Sequence, residues 1–195
     1  LNESNFHFTK MHSLIIPGGA VYSAAPSPKG THIALASLSG SIAIVPVNLQ
    51  SFEVANGHSL AVRDIHWSNV GLVSGGFDRD IIFWEPETLV PIVKIPTSGF
   101  IHSICSSPSQ RDVFATTGRS ILWIDSRQEG PFTIETEETM TSVSTHRDYL
   151  IYGGYNGVLT VVDRRNLQKD PVATLKLDGA PLSSLSQVNS ESKMA

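Results

Sequence analysis

At 195 residues, with 41% hydrophobic and 16% charged side chains, the chain is apolar enough to bury a core and too weakly charged to be intrinsically disordered. A net charge of −4 argues against a general attraction to nucleic acid or acidic lipid, and a single cysteine, Cys105, excludes a disulfide framework and a CxxC metal site. No apolar run approaches the ~20 residues that a membrane-spanning helix requires.

Along the chain an apolar pair spaced φ-x-x-φ opens a short strand pattern five times, at Val21/Ala24, Val62/Ile65, Ile101/Ile104, Met140/Val143 and Leu182/Leu185. The steps between copies are 41, 39, 39 and 42 residues, and self-similarity at such a period marks an array of one supersecondary unit. Ser-Pro follows at one offset in two copies, Ser27-Pro28 and Ser107-Pro108. The first unit reads as strands over 21–26, 32–37, 41–46 and 51–54, and the second over 62–68, 71–75, 80–85 and 89–95. The third reads as strands over 101–106, 113–117, 120–125 and 132–135, and the fourth over 141–145, 149–153, 158–163 and 172–176, with Asn156-Gly157 as a hairpin turn.

A fifth unit is expected to begin near 180 with one strand, and residues 6–10 to be the last strand of an earlier unit. The connections are too short for crossover helices, and no segment sustains a 3.6-residue apolar period. The expectation is an all-β fold of four-stranded antiparallel sheets. Its units span about 18–56, 57–96, 97–136 and 137–178, with a fifth begun at 179–195 and 1–17 a remnant of a preceding one. Partial units at both ends, and a first residue that is Leu1, suggest a piece of a larger fold.

The second unit holds His58, Ser74 and Asp78, the side chains of a nucleophilic triad. A triad needs an exposed serine beside an oxyanion hole. Here Ser74 lies mid-strand in an apolar stretch without a G-x-S-x-G elbow, so a structural role is expected and catalysis is not. His7, His12, His32, His66, His102 and His146 show no metal-ligand spacing, and no Gly-rich phosphate loop occurs, so neither a metal nor a cofactor is expected. Trp67 is expected to pack between units, Cys105 to be a small buried hydrophobe of a reducing compartment, and Arg164-Arg165 to be a solvated strand end.

Gly57-His58, Ser74, Asp78 and Trp84-Glu85 together resemble a WD-repeat, the unit of WD β-propellers. The other copies are degenerate: Gly18-Gly19 stands for Gly-His, Val45-Pro46 and Val162-Asp163 stand for Trp-Asp, and Trp123 falls one residue early before Asp125. The resemblance implies an incomplete WD-repeat β-propeller of about four blades out of a probable seven. It further implies that His58, Ser74, Asp78 and Trp84 form a buried hydrogen-bonded tetrad.

Carried over by position, the family's favoured binding face is Tyr22, Arg63, His102, Thr141 and Ser183 after the first apolar residue of each unit. Phe77 and Tyr155, before the turn, complete it. Asp125-Ser126-Arg127 and Asp163-Arg164-Arg165 resemble the paired Asp-x-Arg boxes of WD-repeat substrate receptors of cullin ubiquitin ligases. The second unit is also similar to a blade of second-step pre-mRNA splicing WD factors, and the third to the WD subunit of the arginine methyltransferase complex.

The function expected is a non-catalytic scaffold that binds other proteins of a cytoplasmic or nuclear complex, with no small-molecule substrate and no membrane. A ligase substrate receptor and a WD subunit of an RNA-processing or methyltransferase complex are the alternatives. An enzyme using His58, Ser74 and Asp78, or direct nucleic-acid binding, are the competing classes.

Overall fold

The computed structural model describes residues 14–106, 111–125, 127–128, 130–167, 170–177 and 180–185. The strand expected over 6–10, the Ser107-Pro108 pair and the end of the fifth unit lie outside these residues. Among the described residues, sixteen strands form four antiparallel four-stranded sheets, each a simple meander in chain order.

The first sheet is β1 (Val21–Pro26), β2 (His32–Ser37), β3 (Ser41–Pro46) and β4 (Glu53–Asn56). The second is β5 (Val62–Ser68), β6 (Gly71–Gly76), β7 (Asp80–Trp84) and β8 (Pro91–Pro96). The third is β9 (Ile101–Ser106), β10 (Asp112–Thr117), β11 (Ser120–Asp125) and β12 (Phe132–Glu135). The fourth is β13 (Met140–His146), β14 (Tyr149–Gly154), β15 (Val158–Asp163) and β16 (Ala173–Lys176). One 3-10 turn, Arg164–Asn166, follows β15.

The outermost strands of the first two sheets start later than their sequence patterns suggest. In the second sheet Leu89 adopts left-handed backbone at φ 52°, which breaks the extended run expected from that residue. Leu89 donates its N–H to the Glu85 carbonyl at 2.8 Å and buries its side chain, so a tight turn occupies the residues before β8.

Neighbouring sheets meet through their first strands: β1 lies against β5, β5 against β9 and β9 against β13. Hydrogen bonds across these junctions join residues about one repeat apart in sequence. Ser23 Oγ donates to Asp64 Oδ1 at 2.7 Å and the Trp67 indole N–H to the Ala25 carbonyl at 2.9 Å. Ile104 N–H donates to Asp64 Oδ2 at 2.7 Å, and Thr145 Oγ1 to the Ser106 carbonyl at 2.8 Å. The forty-residue period is therefore a physical spacing: each copy is tied to the next at the same place.

The φ-x-x-φ pattern itself has a geometric cause. In a regular strand residues i and i+3 point to opposite faces. Here the register slips between Val21 and Ser23, between Val62 and Asp64, between Ile101 and Ser103, and between Met140 and Ser142. One residue in each first strand is an unpaired bulge, and the bulge returns both apolar residues to one face. Val62 and Ile65 share one apolar cluster, Ile101 and Ile104 a second, and Met140 and Val143 a third.

Each cluster lies between two consecutive sheets, so the middle sheets bury both faces. On β6, Leu72 enters the cluster with the first sheet while Val73 enters the one with the third. Strands sandwiched in this way read as continuous apolar runs rather than as alternation. The first pair differs from the others: Val21 is 45% exposed and Ala24 is exposed, because no described strand lies beyond β1.

Residues 180–185 are not in a strand, in contrast with the strand expected there, yet Leu182 is held as its repeat position demands. A Cβ on Gly75 would come within 2.6 Å of Ile101, and one on Gly153 would collide with Leu182. Gly75 and Gly153 hold the same register in their sheets, opposite Asp64 and Ser142. Leu182 thus fills against the fourth sheet the place Ile101 takes against the second.

Candidate functional site

The second sheet and its turns hold His58, Ser74, Asp78 and Trp84 in one chain of hydrogen bonds. The Trp84 indole N–H donates to Ser74 Oγ at 2.8 Å, and Ser74 Oγ meets His58 Nε2 at 2.7 Å. His58 Nδ1 lies 2.9 and 3.0 Å from the two oxygens of Asp78, which also accepts the Ser59 N–H at 2.9 Å. Burial lowers the His58 pKa against the pull of Asp78, so the ring is neutral near pH 7. Burial opposes ionisation of Asp78, but the His58 ring and the Ser59 N–H outweigh it and hold the carboxyl below its ordinary range.

A neutral ring then donates from Nδ1 to the carboxylate and accepts the Ser74 hydroxyl at Nε2, which satisfies every polar group in turn. Ser74 and Trp84 are 0% exposed, so the hydroxyl a nucleophile would use is closed off on both sides. At the register positions of Ser74 and Trp84 the other sheets carry Leu35 and Val45, Ala115 and Ile124, and Tyr152 and Val162. The network belongs to one sheet.

The candidate binding residues sit elsewhere, at the bulges. Tyr22, Arg63, His102 and Thr141 are the residues skipped by the register in β1, β5, β9 and β13. A bulge re-aims the side chain it carries. With Ser183 they line one open cavity of about 620 Å³ that runs across all four first strands. Burial lowers the His102 pKa and the positive charge of Arg63 adds to the effect, so this imidazole is neutral at pH 7.

Phe77, in the turn after β6, stands outside the cavity lining but joins it through rings. Its centroid is 6.5 Å from Tyr22 and 5.6 Å from Phe100, the latter edge-on. The Arg63 guanidinium lies over Tyr22 at 5.5 Å, and that of Arg79 over Phe100 at 5.5 Å. Tyr155 occupies the turn after β14, 56% exposed, and takes no part in this ring series. Its N–H reaches the Thr139 carbonyl at 3.3 Å as that of Phe77 reaches Ala61 at 3.0 Å, so the two are equivalent in position.

Sequence reading missed Phe100 and Arg79, since their partners lie in other units. It also missed Asp64. The residue before the second φ is Ser23, Asp64, Ser103, Ser142 and Ser184 in the five copies, a polar regularity present in the sequence. Asp64 accepts from Ser23 Oγ at 2.7 Å, Ile104 N–H at 2.7 Å and Ile65 N–H at 2.9 Å. Burial nevertheless raises its pKa above the ordinary carboxylate value. Ser103 Oγ accepts the Val143 N–H at 3.4 Å at the next junction, so this position clamps one first strand to the next.

Asp125/Arg127 and Asp163/Arg165 are closed on themselves. In each, Nε and one terminal nitrogen of the arginine grip its own aspartate, with distances of 2.6 to 3.2 Å. Arg165 also reaches Asp148 at 3.4 Å. The solvated strand end expected at Arg164-Arg165 holds for Arg165 alone. Arg164 is 7% exposed and meets Asp112 of the third sheet at 3.5 Å, a partner 52 residues away that the local pattern could not reveal.

Cys105 is buried, and burial pushes its thiol pKa up. Trp67 packs on the cluster between the first and second sheets. Among the described residues no three His, Cys, Asp or Glu side chains group to hold a metal, and no helix is long and apolar enough to cross a membrane. No protein-family model matches the chain, and neither does any curated protein.

Proposed function

We propose that the four sheets are blades of a WD-repeat β-propeller and that the protein is a non-catalytic scaffold for protein–protein interactions within a cytoplasmic or nuclear complex. The carrying observation is the collection of Tyr22, Arg63, His102 and Thr141, each from a bulge of a different sheet, along one cavity beside exposed aromatic rings. Aromatic residues and arginine on a rigid frame are the chemistry of interaction hot spots. The full burial of Ser74 between His58 and Trp84 supports a structural tetrad over a catalytic triad.

The Asp-x-Arg arginines each hold their own aspartate through Nε and one terminal nitrogen, which gives the ligase-receptor reading no added support. The test is affinity purification of the full-length protein, with Arg63→Glu and Phe77→Ala beside the unaltered form. The scaffold reading expects discrete protein partners whose recovery falls with either substitution. Equal recovery from all three forms overturns this face as the interaction surface.

A further inference from the structure

The ring series beside the cavity has a polarity that the position-by-position reading does not contain. Arg63 caps Tyr22 at one end, Arg79 caps Phe100 at the other, and Phe77 joins the two rings. Neither guanidinium makes an ion pair within 4 Å among the described residues. The nearby carboxylates are committed elsewhere: Asp64 to Ser23 and two backbone N–H groups, Asp78 to His58, and Asp80 to Lys94 at 2.7 Å. A chain of net charge −4 therefore presents at this rim two cations outside any close ion pair, with Asp64 the carboxylate whose charge Arg63 feels.

The series is also pre-formed. Arg79 sits in left-handed backbone at φ 67°, and its carbonyl accepts both the N–H and the hydroxyl of Thr97, at 2.7 and 2.8 Å. Tyr22 and Phe100 are 42% and 46% exposed, so two of the rings already face solvent.

We infer that this rim takes an extended acidic peptide segment of a protein partner, with apolar side chains between two carboxylates. The inference rests on the scaffold reading above. Charge complementarity calls for carboxylates at the two guanidiniums, and the rings between them call for apolar contact. Successive members of the series from Arg63 to Arg79 are 5.5 to 6.5 Å apart, with Phe77 and Arg79 in one turn. Side chains on one face of a strand recur every two residues, about 6.6 Å. A nine-residue segment with acidic residues first and last and apolar residues at the three inner odd positions offers on one face a side chain for each member of the series.

The probe is a fluorescein-labelled nonapeptide with glutamate at both ends, leucine at the three inner odd positions and serine elsewhere. Its anisotropy is read against the full chain at low and at high salt. The expected result is saturable binding that weakens at least tenfold when lysine replaces both glutamates, and at least tenfold in Arg63→Glu and in Arg79→Glu. Arg79 is exposed and Arg63 half-buried, and unchanged circular dichroism and urea midpoint establish that each variant is folded. Equal binding of the lysine peptide, or unchanged binding in both variants, overturns the inference. So does tighter binding of a single-stranded RNA nonamer or of phosphatidylserine vesicles with the same arginine dependence. If the peptide fails while partner capture by the full-length protein still depends on Arg63 and Phe77, the acidic-segment inference falls and the scaffold reading stands.

Discussion

The second and third sheets occupy the same situation and solve it with different chemistry. Both lie between two other sheets and share one strand order and one bulge position. Where the second places Ser74 and Trp84 in a polar chain ending on Asp78, the third places Ala115 and Ile124 in an apolar cluster. The difference teaches that the array needs its faces filled and its polar groups matched, and is indifferent to how. Replacing both members of a hydrogen-bonded pair by apolar groups of similar shape is nearly neutral, whereas removing one member is costly. A degenerate repeat and an intact one can therefore stand side by side.

The sharpest break of this comparison is Trp84→Ala, which empties the largest fully buried side chain of the second sheet and removes the indole N–H that donates to Ser74 Oγ. Urea unfolding should show a loss of about 3–5 kcal/mol. A smaller loss than for Ile124→Ala in the third sheet would show that the network adds nothing to the packing.

Acid should act next, and at one junction. His66 reaches Ser106 across the second and third sheets at 3.0 Å, and burial lowers its pKa from 6.5 to about 4. The unfolded chain takes up a proton below 6.5 that the folded one refuses, so stability is full above pH 6.5 and falls as pH drops toward 4. A shift of that size corresponds to on the order of 3 kcal/mol. His58 acts in the same direction. Asp64 opposes at the acid end, since a raised carboxylate pKa gives stability that grows as pH falls toward 3.8. His66→Gln should flatten the profile between pH 6.5 and 4, and an unaltered slope would remove His66 as its source.

Asp78→Ala should cost less, about 1–3 kcal/mol, by leaving the His58 Nδ1–H and the Ser59 N–H without an acceptor. Reactivity of Ser74 toward a serine-directed probe should be absent both in this variant and in the unaltered form. Detectable labelling of Ser74 would reverse the structural assignment. Arg127→Ala stands at the bottom of the scale: its side chain is 64% exposed, and the buried Asp125 carboxylate it leaves keeps the backbone N–H of residue 127, so the urea midpoint should fall by less than in Asp78→Ala.

How much of this could be read in advance follows the distance over which each interaction acts. The strand runs, their antiparallel order and the turn at Asn156-Gly157 follow from neighbours in sequence, and Gly157 takes the positive φ, 69°, that its turn requires. Tyr22, Arg63, His102 and Thr141 were legible because one bulge places them alike in every copy. Phe100 and Arg79 were not, since the ring that Phe100 meets belongs to the preceding sheet's turn and the cation above it to that same turn. Arg164 shows the same limit: an arginine beside another arginine reads as solvated until Asp112 arrives from a different sheet.

The sequence by itself determined the repeat, the strands and the apolar pair that opens each unit, because covalent spacing and hydrophobic pattern act locally and recur. Only the tertiary structure decided which of those pairs are covered, which polar residues clamp one sheet to the next, and which rings and cations share a rim. Those outcomes depend on surfaces brought together across some twenty residues or more of chain, and a copy such as Val21/Ala24, identical in pattern to Val62/Ile65, is exposed where no described strand lies beyond it.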